Sequence, residues 1–62
     1  MKARRTEYDG IYDLNGWVAV RVNHGYGVEW ALHHGTVDEY FDPEDRWHGT
    51  YRTLRECEEA AA

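Results

Sequence analysis

The sequence predicts a small α+β domain: three antiparallel strands, or four if residues 6–15 contribute one, packed on a single C-terminal helix. Three observations carry this. Side chains alternate through residues 17–33 about a glycine-containing connection, as in a hairpin with one buried face. Asn15-Gly16 and the His-Gly steps supply turn chemistry between apolar runs. Thr53 and Glu56 stand at capping-box spacing ahead of Leu54, Cys57 and Ala61, which recur at helical period.

The hairpin is the best-defined element. Strands near 17–23 and 27–33, joined through His24, Gly25 and Tyr26, pair Val22 with Val28, Val20 with Trp30 and Val18 with Leu32. That register gathers the bulky aliphatics on one face. The other face then holds Arg21 opposite Glu29, Ala19 opposite Ala31, and Trp17 opposite His33. Before it, residues 6–15 place Tyr8, Ile11, Tyr12 and Leu14 in an opening strand closed by Asn15-Gly16. After it, His34-Gly35 turns into Thr36–Phe41, read as a further strand with Val37, Glu39 and Phe41 on one side. Asp42-Pro43 resembles a helix start, with aspartate as N-cap and proline in the first turn. His48-Gly49 limits that segment to one turn or a loop. The C-terminal helix is too short to stand alone and needs the sheet to dock on.

Size and composition narrow the function classes. With 62 residues the chain makes one domain, a flexible basic tail over residues 1–5 and an α+β unit over 6–62. A core of this size supplies roughly 3–5 kcal/mol. Three tryptophans, five tyrosines and one phenylalanine must provide much of the buried area. The single cysteine, Cys57, excludes an internal disulfide framework and suits a reducing, cytoplasmic setting. No apolar run approaches membrane-spanning length, and no export signal follows Met1, so neither a membrane nor secretion is expected.

Charge is uneven. Residues 37–62 carry Asp38, Glu39, Asp42, Glu44, Asp45, Glu56, Glu58 and Glu59 against Arg46, Arg52 and Arg55, which accounts for the whole net charge of −5. An acidic half favours a basic partner and disfavours unspecific binding to nucleic acid. Catalytic and metal signatures are absent. Cys57 falls on the inward helix face, where cysteine behaves as a small hydrophobe. His24 and His34 lie at opposite ends of a strand, roughly 20 Å or more apart at strand rise. No His or Cys spacing matches a metal motif. Hence no catalytic residue, cofactor or metal is assigned.

Surfaces remain. The first candidate is the acidic, aromatic-flanked stretch Asp38, Glu39, Tyr40, Asp42, Glu44, Asp45 and Trp47, which would receive a host protein with a basic surface. The second is the outward hairpin face of Trp17, Ala19, Arg21, Glu29, Ala31 and His33, a flat patch suited to a partner or a second copy.

Gly16-Trp17 followed by Val18 and Val20, the hairpin, and then Gly49-Thr50-Tyr51-Arg52-Thr53-Leu54 with Glu56, Cys57 and Ala60 resemble a known pattern. They are similar to the AP2-like N-terminal arm-binding domain of phage-type tyrosine integrases, over roughly residues 16–60. The resemblance implies a three-stranded sheet on one C-terminal helix, with DNA read by basic side chains of the sheet. Only Trp17 and Arg21 match positions that would take that role, and phosphate binding needs more lysine and arginine than this sheet offers. The expectation is therefore a phage- or mobile-element-type protein that binds and modulates a host protein, most simply as an inhibitor occupying a basic nucleic-acid site. A DNA-binding module using the sheet face and basic tail, and self-association into a homodimer, are the alternatives.

Overall fold

The computed structural model describes residues 2–42 and 44–61. Five strands form one antiparallel sheet in chain order, β1 (Arg4–Arg5), β2 (Ile11–Asp13), β3 (Trp17–His24), β4 (Gly27–His34) and β5 (Trp47–Tyr51). A one-turn helix α1 (Val37–Tyr40) separates β4 from β5, and α2 (Leu54–Ala61) ends the chain. Antiparallel strands and a C-terminal helix are as the sequence predicts, but the sheet has five strands rather than three or four. Arg4 and Arg5, expected in a tail, pair with Asp13 and Tyr12. Met1 of that tail lies outside the described residues.

The hairpin spans match the expectation and the register does not. Only Gly25 and Tyr26 connect β3 to β4, with His24 opposite Gly27. Every pair is thereby shifted by one residue from the sequence-based pairing. Ala19 faces Leu32, Arg21 faces Trp30, and Val22 faces Glu29. Such a shift exchanges the faces. Trp17, Ala19 and Arg21 now share a side with Trp30, Leu32 and His34, while Val18 and Val20 share the opposite side with Glu29, Ala31 and His33.

The reason the alternation misleads is that burial is graded along the strands and not only across them. At the β2 end both faces are covered, so adjacent Val18 and Ala19 are both fully buried. At the hairpin tip neither is, and Arg21, Val22 and Asn23 are all exposed. The core cluster is Leu14, Ala19, Leu32, Cys57 and Ala61, with Tyr12, Trp17, Trp30, Tyr51 and Leu54 packed around it. It lies between α2 and the Ala19/Leu32 face. A small side chain at 19 lets the helix approach the sheet. Cys57 and Ala61 form the buried helix stripe that the spacing predicts.

Turn chemistry explains two joints. Asn15 (φ 55°) and Gly16 (φ 100°) both take the left-handed region, the demand of a two-residue primed turn, and Leu14 N–H donates to the Trp17 carbonyl at 2.8 Å. At the end of β4, Gly35 (φ 98°) hands the chain to α1.

Thr36–Phe41 is helical rather than extended, because Thr36 and Glu39 make a complete capping box. The Thr36 hydroxyl accepts from Glu39 N–H (3.2 Å), and the Glu39 carboxylate accepts from Thr36 N–H (2.8 Å). The expected box at α2 is only half made. Thr53 receives the Glu56 N–H at 3.2 Å, but the Glu56 carboxylate meets the Thr53 hydroxyl at 3.4 Å instead of a backbone donor.

A Cβ added at Gly35 would stand 2.7 Å from Glu39 Oε1. Gly35→Ala should therefore cost about 1–2 kcal/mol in backbone conformation and about 1 kcal/mol more as the cap is displaced. Chemical denaturation of the two proteins measures this directly.

The helix start expected at Asp42 is not formed. Asp42 and Glu44 sit in bends, and Pro43 lies outside the described residues. His48-Gly49, expected as a turn, lies within β5, beside an irregularity opposite Leu32 and His33. No described helix is long and apolar enough to cross a membrane.

Candidate binding surface

α1 lies against β2 and β3 on the sheet face opposite α2, over Val18. Its ring Tyr40 meets His33 edge to face at 5.0 Å, and Phe41 meets Tyr8 at 4.9 Å. The loop from α1 into β5 is built around one side chain, Arg46. Its Nη1 donates to the Glu39 carbonyl at 3.0 Å and lies 3.8 Å from Asp42, while Nη2 is 3.1 Å from Glu44 and 3.9 Å from Glu39. Asp45 accepts the Trp47 N–H at 3.0 Å, which starts β5.

Of the seven residues of the acidic candidate, Glu39, Asp42 and Glu44 gather on Arg46 and Asp45 and Trp47 follow at the start of β5, whereas Asp38 lines a groove with Arg4 and Asp13. Glu39, Asp42 and Glu44 lie within 4 Å of a single arginine, Arg46, so these three carboxylates less that one cation leave a local charge of −2. Phe41 and Trp47 flank this cluster, 54% and 55% exposed, whereas Tyr40 is half-buried. The sequence reading missed Tyr8 and Arg46 as parts of this surface. The signal that would have found α1 is the Thr36-x-x-Glu39 spacing, identical to the Thr53-x-x-Glu56 spacing that was recognised.

Electrostatics here give a pH dependence. The backbone N–H of Thr36 holds the Glu39 carboxyl below its ordinary value, helped by Arg46. Burial lowers His33, partly opposed by the Asp45 charge. Both act in one direction. A lowered histidine binds its proton more readily when unfolded, so its contribution is complete above about 6.5, the ordinary histidine value, and falls as pH drops through the window below. A lowered carboxylate contributes above about 4.3, its unfolded value, and is lost as pH falls through its folded value. Melting temperature should therefore decline in two stages on acidification. His33→Gln should flatten the first stage and Glu39→Gln the second.

The second candidate does not survive as one surface. Trp17, Ala19 and Arg21 point to the α2 side, with Ala19 fully buried, and Glu29, Ala31 and His33 point to the other. The expected Arg21–Glu29 pair is absent. Arg21 reaches Asp9 at 3.2 Å, and Glu29 takes the Tyr26 hydroxyl at 3.0 Å with His24 at 3.6 Å. Arg4 is likewise paired, with Asp13 at 3.3 Å.

The remaining chemical candidates are placed as follows. His34 and His48 meet at 5.2 Å between ring centroids, both against Trp17 at 4.2 and 5.0 Å, while His24 stacks on Tyr26 at the hairpin tip. Among the described residues no three potential ligands gather as a metal site. Cys57 is fully buried, and burial first, then Glu56 and Glu58, pushes its thiol up to about 11. It is a protonated core group at neutral pH. Comparison with protein-family models, curated proteins and solved structures finds no match.

Proposed function

We propose that this chain is a non-catalytic binding protein that captures another protein through a basic surface on that partner and modulates it by occupying that surface. The observation that carries this reading is the pairing of exposed Phe41 and Trp47 with the carboxylate cluster around Arg46. Aromatic anchors supply desolvated area, and the surrounding carboxylates steer and orient a cationic partner. If the partner's basic surface normally binds nucleic acid, occupation inhibits it. The phage- or mobile-element setting suggested by the integrase-like pattern is compatible with that role. The DNA-reading role of that pattern is not favoured, because Arg4 and Arg21 are already paired with carboxylates.

Affinity capture from host extract, followed by titration against the recovered partner, tests the proposal. Reversing Asp42, Glu44 and Asp45 to lysine should weaken binding at least tenfold, about 1.4 kcal/mol, and remove most of its salt dependence. Trp47→Ala should weaken it with the salt dependence kept. Unchanged binding by both variants contradicts the proposal.

A further inference from the structure

β5 is shorter than the strand it pairs with. Its last residue, Tyr51, stands opposite Trp30, so Gly27, Val28 and Glu29 of β4 extend past it with no strand alongside. The His34 N–H donates to the Arg46 carbonyl at 2.9 Å, on the β5 side. Strand backbone groups alternate between edges. The N–H and C=O of Val28 therefore point to the same side as those of His34, into the space where β5 has ended.

That space is a groove of about 700 Å³, walled by Tyr26, Val28, Glu29, Tyr51, Arg52 and Glu56. Tyr26 is 81% exposed yet held in place. Its ring stacks on His24 at 4.9 Å, 5° from parallel, and its hydroxyl donates to Glu29 Oε1 at 3.0 Å. His24 Nε2 approaches the same oxygen at 3.6 Å. Both contacts thus fall on Oε1, leaving Glu29 Oε2 for a ligand.

We infer that this notch receives an extended polypeptide segment of a partner protein, which pairs with the open edge at Val28 and places a lysine or arginine against Glu29 and the Tyr26 ring, on the sheet face away from α2. Backbone pairing to a free sheet edge supplies affinity without sequence demands, and the side-chain pocket supplies the choice. On that face the free Oε2 of Glu29 selects a cation, and Glu56 on the α2 side of the groove adds negative field. The face of Tyr26 packs the aliphatic stem and adds a cation–π contact. A second copy of this chain is a poor occupant, because each copy would bring Glu29, Glu56 and a net charge of −5 to the same edge. The other sheet edge is guarded differently, since β1 is two residues long and both are arginine.

This inference extends the basic-partner reading to a second surface, and the variants separate the two. The probe is acetyl-Thr-Lys-Val-Lys-Thr-amide, with the same peptide carrying glutamate for lysine as control, titrated against the 15N-labelled full chain. The lysine peptide should give saturable shifts at Tyr26–Glu29 and Arg52, and the glutamate peptide at least tenfold weaker binding. Val28→Pro deletes the outward N–H at an edge position, where proline is tolerated, and should weaken binding at least tenfold. The double substitution Glu29→Gln, Glu56→Gln changes no core side chain and should weaken it at least fivefold, which keeps the test valid if the proline variant is misfolded. Lysine reversal at Asp42, Glu44 and Asp45 should leave peptide binding within twofold. Equal affinity for both peptides, shifts confined to residues 38–47, or undiminished binding by the Gln pair overturns the inference. So does a dimer in sedimentation that Val28→Pro dissolves, which would make a second copy the occupant.

Discussion

Ala19→Arg should leave the chain unfolded at room temperature, whereas Val22→Arg should change its stability by no more than about 0.5 kcal/mol. Ala19 has no exposed surface and lies beneath α2 among Leu14, Leu32, Cys57 and Ala61. A guanidinium there is a buried charge without a partner, and removing such a charge from water costs several kcal/mol. That equals or exceeds the roughly 3–5 kcal/mol that a core of this size supplies. Val22 is 36% exposed near the hairpin tip and stands opposite Glu29, so an arginine there stays hydrated beside a carboxylate. The pair discriminates sharply. A register with the valines inward would reverse the two outcomes. Circular dichroism and urea titration of both variants measure the difference.

Leu32→Ala is the second large effect. Leu32 lies in the middle of the sheet, between Ala19 and Gly49, with no exposed surface. Both of those cross-strand neighbours are small, so the leucine fills space that neither can reclaim. Leu→Ala in such a site costs about 2–5 kcal/mol through lost transfer energy and the residual cavity. Set against a total of roughly 3–5 kcal/mol, the variant should be largely unfolded at 37 °C. The same truncation at Val28, which is 44% exposed, should be mild.

These two positions mark what a sequence of this kind reveals. Strand spans are legible, since apolar and β-branched residues between turn signals delimit β3 and β4 to within a residue. So is α2, whose Leu54, Cys57 and Ala61 stripe has no competing period. The register was not legible, because it rests on whether His24 closes the hairpin or belongs to its loop, and both choices place a glycine near the turn. Periodicity then favoured the wrong choice. It assumes one wet face along the whole strand, while α1 and α2 cover both faces at Val18 and Ala19 and leave both open beyond Arg21.

Local chemistry overrode pattern at three further points. Thr36–Phe41 alternates like a strand but folds as a turn of helix through the Thr36–Glu39 cap. Trp47–Tyr51 contains a His-Gly step yet pairs with β4 as a strand. Arg4 and Arg5 have the composition of a solvated tail, yet they complete the sheet beyond β2, where Ala3 N–H also donates to Glu58 at 2.7 Å. That carboxylates gather between α1 and β5 was legible, because charge clusters survive errors of fold. Their organisation around Arg46 was not, since three carboxylates converge on that side chain only once α1 has formed. The sheet-face candidate failed for the same reason the register did. Its six residues divide between two faces as soon as the pairing moves by one.

Everything said about which side chains share a surface rests on that pairing, so the most direct measurement is a cross-strand one. In antiparallel sheets, directly opposed residues outside the hydrogen-bonded pairs bring their Cα atoms to about 4.5 Å, close enough for strong Hα–Hα nuclear Overhauser effects. The pairing described here predicts such effects between Ala19 and Leu32, Arg21 and Trp30, and Asn23 and Val28. Strong Hα–Hα effects between Val18 and Leu32 and between Val20 and Trp30 would contradict it. They would return Ala19 and Arg21 to the same face as Glu29 and Ala31.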